Sequence, residues 1–167
     1  MNGDGQIAEV VIVAIGDERK RDDAAGLMIA RELMARTLPE GVQIEIAGEE
    51  GIDVVASIDG AQRAIILAAV SLGDEPGTVH ALSPADAEAQ ADYISKPGEV
   101  TLIDALELAA MRGGPEVLIV GIEPAEIVPG QTLHPAVEAS LCEAAELVRG
   151  LASGAREWRF FARGDYG

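Results

Sequence analysis

The chain is short of several residue types, and each shortage removes a class of protein. Cys142 is the one cysteine among 167 residues, which excludes an internal disulfide framework and any multi-cysteine metal cluster. Histidine is nearly as scarce: His80 and His134 are the two. Neither H-x-x-H nor H-E-x-x-H spacing occurs, so a zinc centre with three or four spaced ligands is not expected from them. Basic residues are outnumbered, 12 Lys and Arg against 29 Asp and Glu, for a formal net charge of −17. Nucleic acid and anionic membrane both require a basic face, so neither is an expected partner. Apolar runs are no longer than a strand, which leaves nothing to span a bilayer. The start, Met1-Asn2-Gly3-Asp4-Gly5-Gln6, is not basic and leads into no long apolar stretch. No signal peptide is read there, and a cytoplasmic setting is expected.

What is present suits a single folded domain. Hydrophobic residues make up 49% of the chain, enough for a sizeable core. Short β-branched or alternating runs predict strands over residues 10–15, 42–47, 63–70, 78–82 and 116–121. Three- and four-residue spacing of Leu27, Ala30, Leu33 and Met34 predicts a helix from Asp22 or Asp23 to about residue 37. Further helices are predicted over 52–58, 101–111 and 135–151, and one opens at Ser83, with Ser83 as N-cap and Pro84 at the first helical position. Strands alternating with helices define an α/β fold, with a parallel or mixed sheet covered on both faces. The domain is read as residues 1–155, followed by a tail, 156–167. That tail, "REWRFFARGDYG", holds every aromatic residue except Tyr93. Trp158, Phe160 and Phe161, interleaved with arginine, either fold back on the domain or anchor a partner, since aromatic residues and Arg dominate interface hot spots.

The stretch with the most chemistry is "GDERKRDDAAG", Gly16 to Gly26. It follows the first strand, and in α/β sheets ligands gather beyond the carboxyl ends of strands. The adjacent acids Asp22 and Asp23 have two readings. They cap the coming helix, whose first N–H groups and dipole favour carboxylates, or they bind a metal or do acid–base work. The stretch lacks the G-x-G-x-x-G of a dinucleotide site, and no Walker lysine loop or G-x-S-x-G occurs. A phosphoacceptor receiver would need an Asp ending the third strand, where Leu67-Ala68-Ala69-Val70 stands. His80, in the fourth strand, reads as structural or surface; His134, before Pro135, as an N-cap substitute; Cys142, within the last helix, as packed.

Four segments together resemble the hydrogenase maturation proteases, endopeptidases that trim the large subunit of nickel–iron hydrogenases after nickel insertion. The first is Gly16 through Asp22-Asp23 to Gly26. The second is Ala47-Gly48-Glu49-Glu50-Gly51, similar to the family's glycine-rich segment after strand two. The third is "RAIILAAVSLGDEPGTV", residues 63–79. The fourth, and most specific, is Gly121-Ile122-Glu123-Pro124 followed by Gly130 and Leu133-His134-Pro135-Ala136-Val137.

The resemblance implies a three-layer α/β/α sandwich of phosphorylase/hydrolase-like type, with a twisted, mostly parallel sheet of about five strands, and a monomer. It implies three side chains that hold the nickel of the substrate. The first falls on Asp23, the second on Ala68, and the third on Gly98, with Pro97 one residue away. Two of the three are therefore lost, since neither Ala nor Gly offers a donor atom, and one carboxylate is a poor site for nickel. Glu99 and Asp74 are the nearest candidates to substitute. Asp17 stands where the family usually has Asn, and Gly16, Asp17, Asp22, Gly48, Glu49 and Gly51 are the expected loop and binding positions. The implied function is hydrogenase maturation by docking on the large subunit, without a tightly bound cofactor and with the nickel-recognition site degraded. Two alternatives stay open: an active endopeptidase using shifted ligands, and a small-ligand module at the strand edge, where Gly48 and Gly51 leave room.

Overall fold

The computed structural model describes residues 9–47, 52–96 and 101–158. Gly48, Glu49, Gly51, Pro97, Gly98, Glu99, Phe160 and Phe161 lie outside the described residues. The first strand, β1 (Val10–Ala14), is buried along its whole length, because it lies between two parallel neighbours with helices over both faces. β2 (Val42–Ile46) and β3 (Arg63–Ser71) flank it in parallel register, Ile12 opposite both Ile44 and Ile65. β6 (Glu116–Ile122) continues the sheet parallel to β3, and β4 (Val79–Leu82) closes it antiparallel to β6. The order is β2-β1-β3-β6-β4. The sheet is thus mixed but mostly parallel. A sixth strand, β5 (Tyr93–Ile94), pairs antiparallel with Val70 and Ser71 of β3. The sequence gives no sign of it, since two residues carry no periodicity.

Alternation along β3 divides the core in two. Ile65, Leu67 and Ala69 pack with α1 (Ala25–Met34) and α6 (Leu141–Ser153) on one face. Ala64, Ile66, Ala68 and Val70 pack with α2 (Ile52–Ile58), α3 (Pro84–Gln90) and α4 (Leu102–Met111) on the other. Helix, sheet and helix therefore form three layers, as expected. No helix among the described residues is long and apolar enough to cross a membrane.

Local differences from the expected elements have local causes. The helix expected from Asp22 or Asp23 opens instead as a 3-10 turn, Arg21–Ala24, and becomes α-helical at Ala25. Close packing dictates its path: a Cβ on Gly26 would lie 2.4 Å from the Leu67 carbonyl oxygen, so only glycine lets α1 rest this near β3. The single C-terminal helix is two, α5 (Pro135–Ala139) and α6, meeting at Ser140. The Ser140 hydroxyl donates to the Gly77 carbonyl at 2.6 Å, a bond that ties the joint to the β3–β4 loop. Ser83 and His134 cap as expected, accepting from Asp86 N at 3.0 Å and Ala136 N at 3.1 Å. Cys142 is exposed rather than packed, because the buried stripe of α6 runs through Ala144, Ala145, Leu147, Val148 and Leu151. At the opposite end of the sheet, half-buried Trp158 packs on the core and donates from Nε1 to the Leu151 carbonyl at 2.9 Å. The Arg63 guanidinium lies 4.8 Å from its ring centroid, a cation–π distance.

Candidate functional site

The carboxyl ends of β1, β3 and β6 meet the loop that follows β1. Gly16 turns that loop with a φ of +139°, and a Cβ there would sit 2.1 Å from the Asp23 carbonyl oxygen. Positive φ and close approach both require glycine. Asp17 follows, and its carboxylate is gripped by Arg19 through the backbone N–H at 2.9 Å and the guanidinium at 3.0 Å. Those bonds hold its pKa down at about 2.

Asp23 is 4% exposed and gathers three donors. Asp17 N donates to Oδ2 at 2.8 Å; the Tyr93 hydroxyl and the Ser95 hydroxyl donate to Oδ1 at 2.6 and 2.7 Å. A carboxylate has about four lone-pair positions, so three of these are taken. Ser95 is fully buried and its Oγ also accepts from Ala69 N at 3.0 Å, which fastens Asp23 to the end of β3. Burial, then the neighbouring Asp23 carboxylate, push the Tyr93 hydroxyl pKa above its ordinary range.

Asp22 is fully buried and faces another way. Its Oδ2 accepts from Ala125 N at 2.7 Å and Glu126 N at 2.9 Å, and its Oδ1 from His134 N at 2.8 Å. Neither Asp22 nor Asp23 caps its own helix: the 3-10 turn and α1 both lack a side-chain cap. The capping expectation is corrected here. The two acids are staples, Asp22 to the loop after β6 and Asp23 to the loop after β5.

Ala68 is fully buried in the core beneath α2 and α4, paired with Gly121 of β6. It has no donor to bring to Asp23. Residues that sequence reasoning passed over are Tyr93, Ser95 and Glu123. Ser95 follows the two-residue strand β5, and its bond to Asp23 has no signal in the sequence. Glu123 lies in the motif "GIEP" and is 2% exposed. It accepts from Ser71 Oγ at 2.7 Å and Leu72 N at 2.7 Å, and meets Nε2 of fully buried His80 at 3.1 Å. His80 is thus buried, and not at the surface.

A mixed sheet with helices on both faces and a carboxylate-bearing strand edge describe a class: α/β/α proteins that work at the carboxyl ends of the sheet. Comparison gives the family. The hydrogenase maturation protease profile matches residues 27–150. The hydrogenase expression/formation protein HupM of Azotobacter chroococcum is 30% identical over 145 residues, covering 82% of this chain and 68% of HupM. The hydrogenase maturating endopeptidase HybD from E. coli superposes with a TM-score of 0.76 at 25% identity, over 95% of this chain and 99% of HybD. The [NiFe] hydrogenase maturation protease HybD from Thermococcus kodakarensis gives 0.70 at 28% identity, over 86% and 99%. The chain belongs to the hydrogenase maturation protease family, and membership supports a role in hydrogenase maturation.

Proposed function

We propose that this protein acts in nickel–iron hydrogenase maturation by docking on the large subunit, and that it does not cleave by nickel recognition. The observation that carries the reading is the state of Asp23. Its carboxylate is occupied by Asp17 N, Tyr93 Oη and Ser95 Oγ. A hydrogen bond to a charged group contributes about 1.5–3 kcal/mol, so a metal would have to displace part of a satisfied network. Buried Ala68 offers no ligand atom to compensate. One carboxylate alone is a weak site for nickel, which prefers several N, O or S donors. The docking surface is the same strand edge, and the net charge of −17 favours a basic segment of the partner.

The test is incubation with nickel-loaded large-subunit precursor beside an active family member. A complex on size exclusion, with the precursor's C-terminal peptide intact by mass spectrometry, is the expected result. Release of that peptide overturns the loss of cleavage; absence of any complex overturns docking.

A further inference from the structure

A second group of ligand-type side chains lies on the same edge, apart from Asp23, Ala68 and Gly98; of its members only Asp74 was named above as a candidate substitute ligand. It consists of Asp74, His80 and Glu123, whose ligating atoms all lie within 4.8 Å of one another. The fold builds the group from three elements. Glu123 leaves the end of β6, and its backbone is tied on both sides: its N–H donates to Thr78 O at 2.8 Å, and its carbonyl accepts from Gly77 N at 2.9 Å. His80 is in β4, opposite Gly121. Asp74 is in the loop between β3 and β4, and its N–H donates to Glu123 Oε1 at 3.3 Å.

We infer that Asp74, His80 and Glu123 form a binding site for a divalent first-row transition cation. A buried His–Glu pair alone would serve as a strut. The third member is what a strut leaves unexplained. Asp74 Oδ2 is buried without a hydrogen-bond partner, and buried polar atoms in native structures almost always have one. It also brings a second carboxylate close to Glu123, an arrangement that a cation favours and that is otherwise repulsive.

The donor spacing fits an ion. Metal–ligand bonds of about 2.0–2.2 Å place two ligands of one ion about 3–3.5 Å apart. His80 Nε2 and Glu123 Oε1 are 3.1 Å apart. Asp74 has to move inward by up to about 1.5 Å to bond an ion at this length, and it is part-exposed in a loop, which also supplies a route of entry. Glu123 is held by Ser71 Oγ on Oε2 and by Leu72 N and Asp74 N on Oε1, so an ion enters in place of the His80–Glu123 hydrogen bond alone; the remaining contacts fix a ligating carboxylate. Two carboxylates and an imidazole suit zinc, nickel or cobalt, while calcium and magnesium prefer more ligands and oxygen alone. Three protein ligands leave coordination positions for water or for a side chain of a partner.

The test uses the full chain, untagged and chelator-treated, titrated calorimetrically with zinc chloride and then with nickel chloride. One saturable site is expected for the wild type. Asp74→Asn is expected to weaken it at least tenfold without lowering the metal-free melting temperature, because Asp74 Oδ2 accepts no hydrogen bond and stands near the Glu123 carboxylate. Asp23→Asn is expected to leave the affinity unchanged, which separates this site from the Asp23 network. The inference is overturned by absence of a saturable site below millimolar metal, by Asp74→Asn binding as the wild type does, or by Asp23→Asn removing the site. The hydrogenase large subunit takes no part in this titration, so its outcome and the docking result are independent.

Discussion

At the scale of residues, two adjacent aspartates do two unlike jobs. Asp22→Ala removes the buried carboxylate to which three backbone N–H groups donate, and we expect a loss of about 3 kcal/mol, read as a shift in a urea melt. Tyr93 has the opposite kind of test. Its folded pKa stands above the ordinary value of 10.0, so the folded state keeps its proton longer than the unfolded state. That contribution is complete below pH 10 and is lost as pH rises beyond it. Absorbance near 295 nm should show Tyr93 un-ionised until the chain unfolds in alkali, and Tyr93→Phe should flatten the alkaline fall in stability. Asp17 has the reverse sign: with a pKa lowered to about 2, its contribution is present above the ordinary carboxylate range and fades as pH falls toward 2. Carbonyl NMR should place its midpoint near there, and Arg19→Ala should raise it. The motif's acids are legible in the sequence, but their partners are not: Tyr93 and Ser95 lie 70 and 72 residues from Asp23, and single-sequence patterns carry no such pairing.

At the scale of elements, β1, β3 and β6 read clearly because each carries a buried β-branched run, and β2 through its alternation. What escaped was set by tertiary contact. The joint at Ser140 depends on Gly77, 63 residues away, and β5 exists because β3 offers it an edge. The seat of α1 is similarly long-range in origin: Gly26 is ordinary in the helix pattern, yet it touches the backbone of β3. Gly26→Ala should force α1 outward and destabilise the domain by about 1–3 kcal/mol. A crystal structure with α1 in place and an unchanged melting temperature would contradict that packing.

At the scale of the whole molecule, the legible parts are fold class, acidic character and the location of the working edge. The illegible parts are clusters assembled from distant segments, Asp74, His80 and Glu123 among them: Asp74 and Glu123 are joined across 49 residues. Net charge acts at this scale too. With −17 on the chain, association with the large-subunit precursor should slow several-fold when salt rises from about 50 to about 500 mM, because the screening length shortens below 10 Å. A salt-independent association rate would place docking on exposed apolar residues such as Met111 instead.

The Asp22 staple also orders events in time. Its three partners follow it by 103, 104 and 112 residues. A chain emerging N-terminus first can pair β1 with β2 and β3 long before His134 leaves the ribosome. Until then a buried-to-be carboxylate waits in water, and the turn between β1 and α1 has no fixed end. The first functional loop to be synthesised is therefore among the last to be locked. A nascent chain stopped short of residue 124 should carry a formed β1–β3 core and a turn still open to proteases.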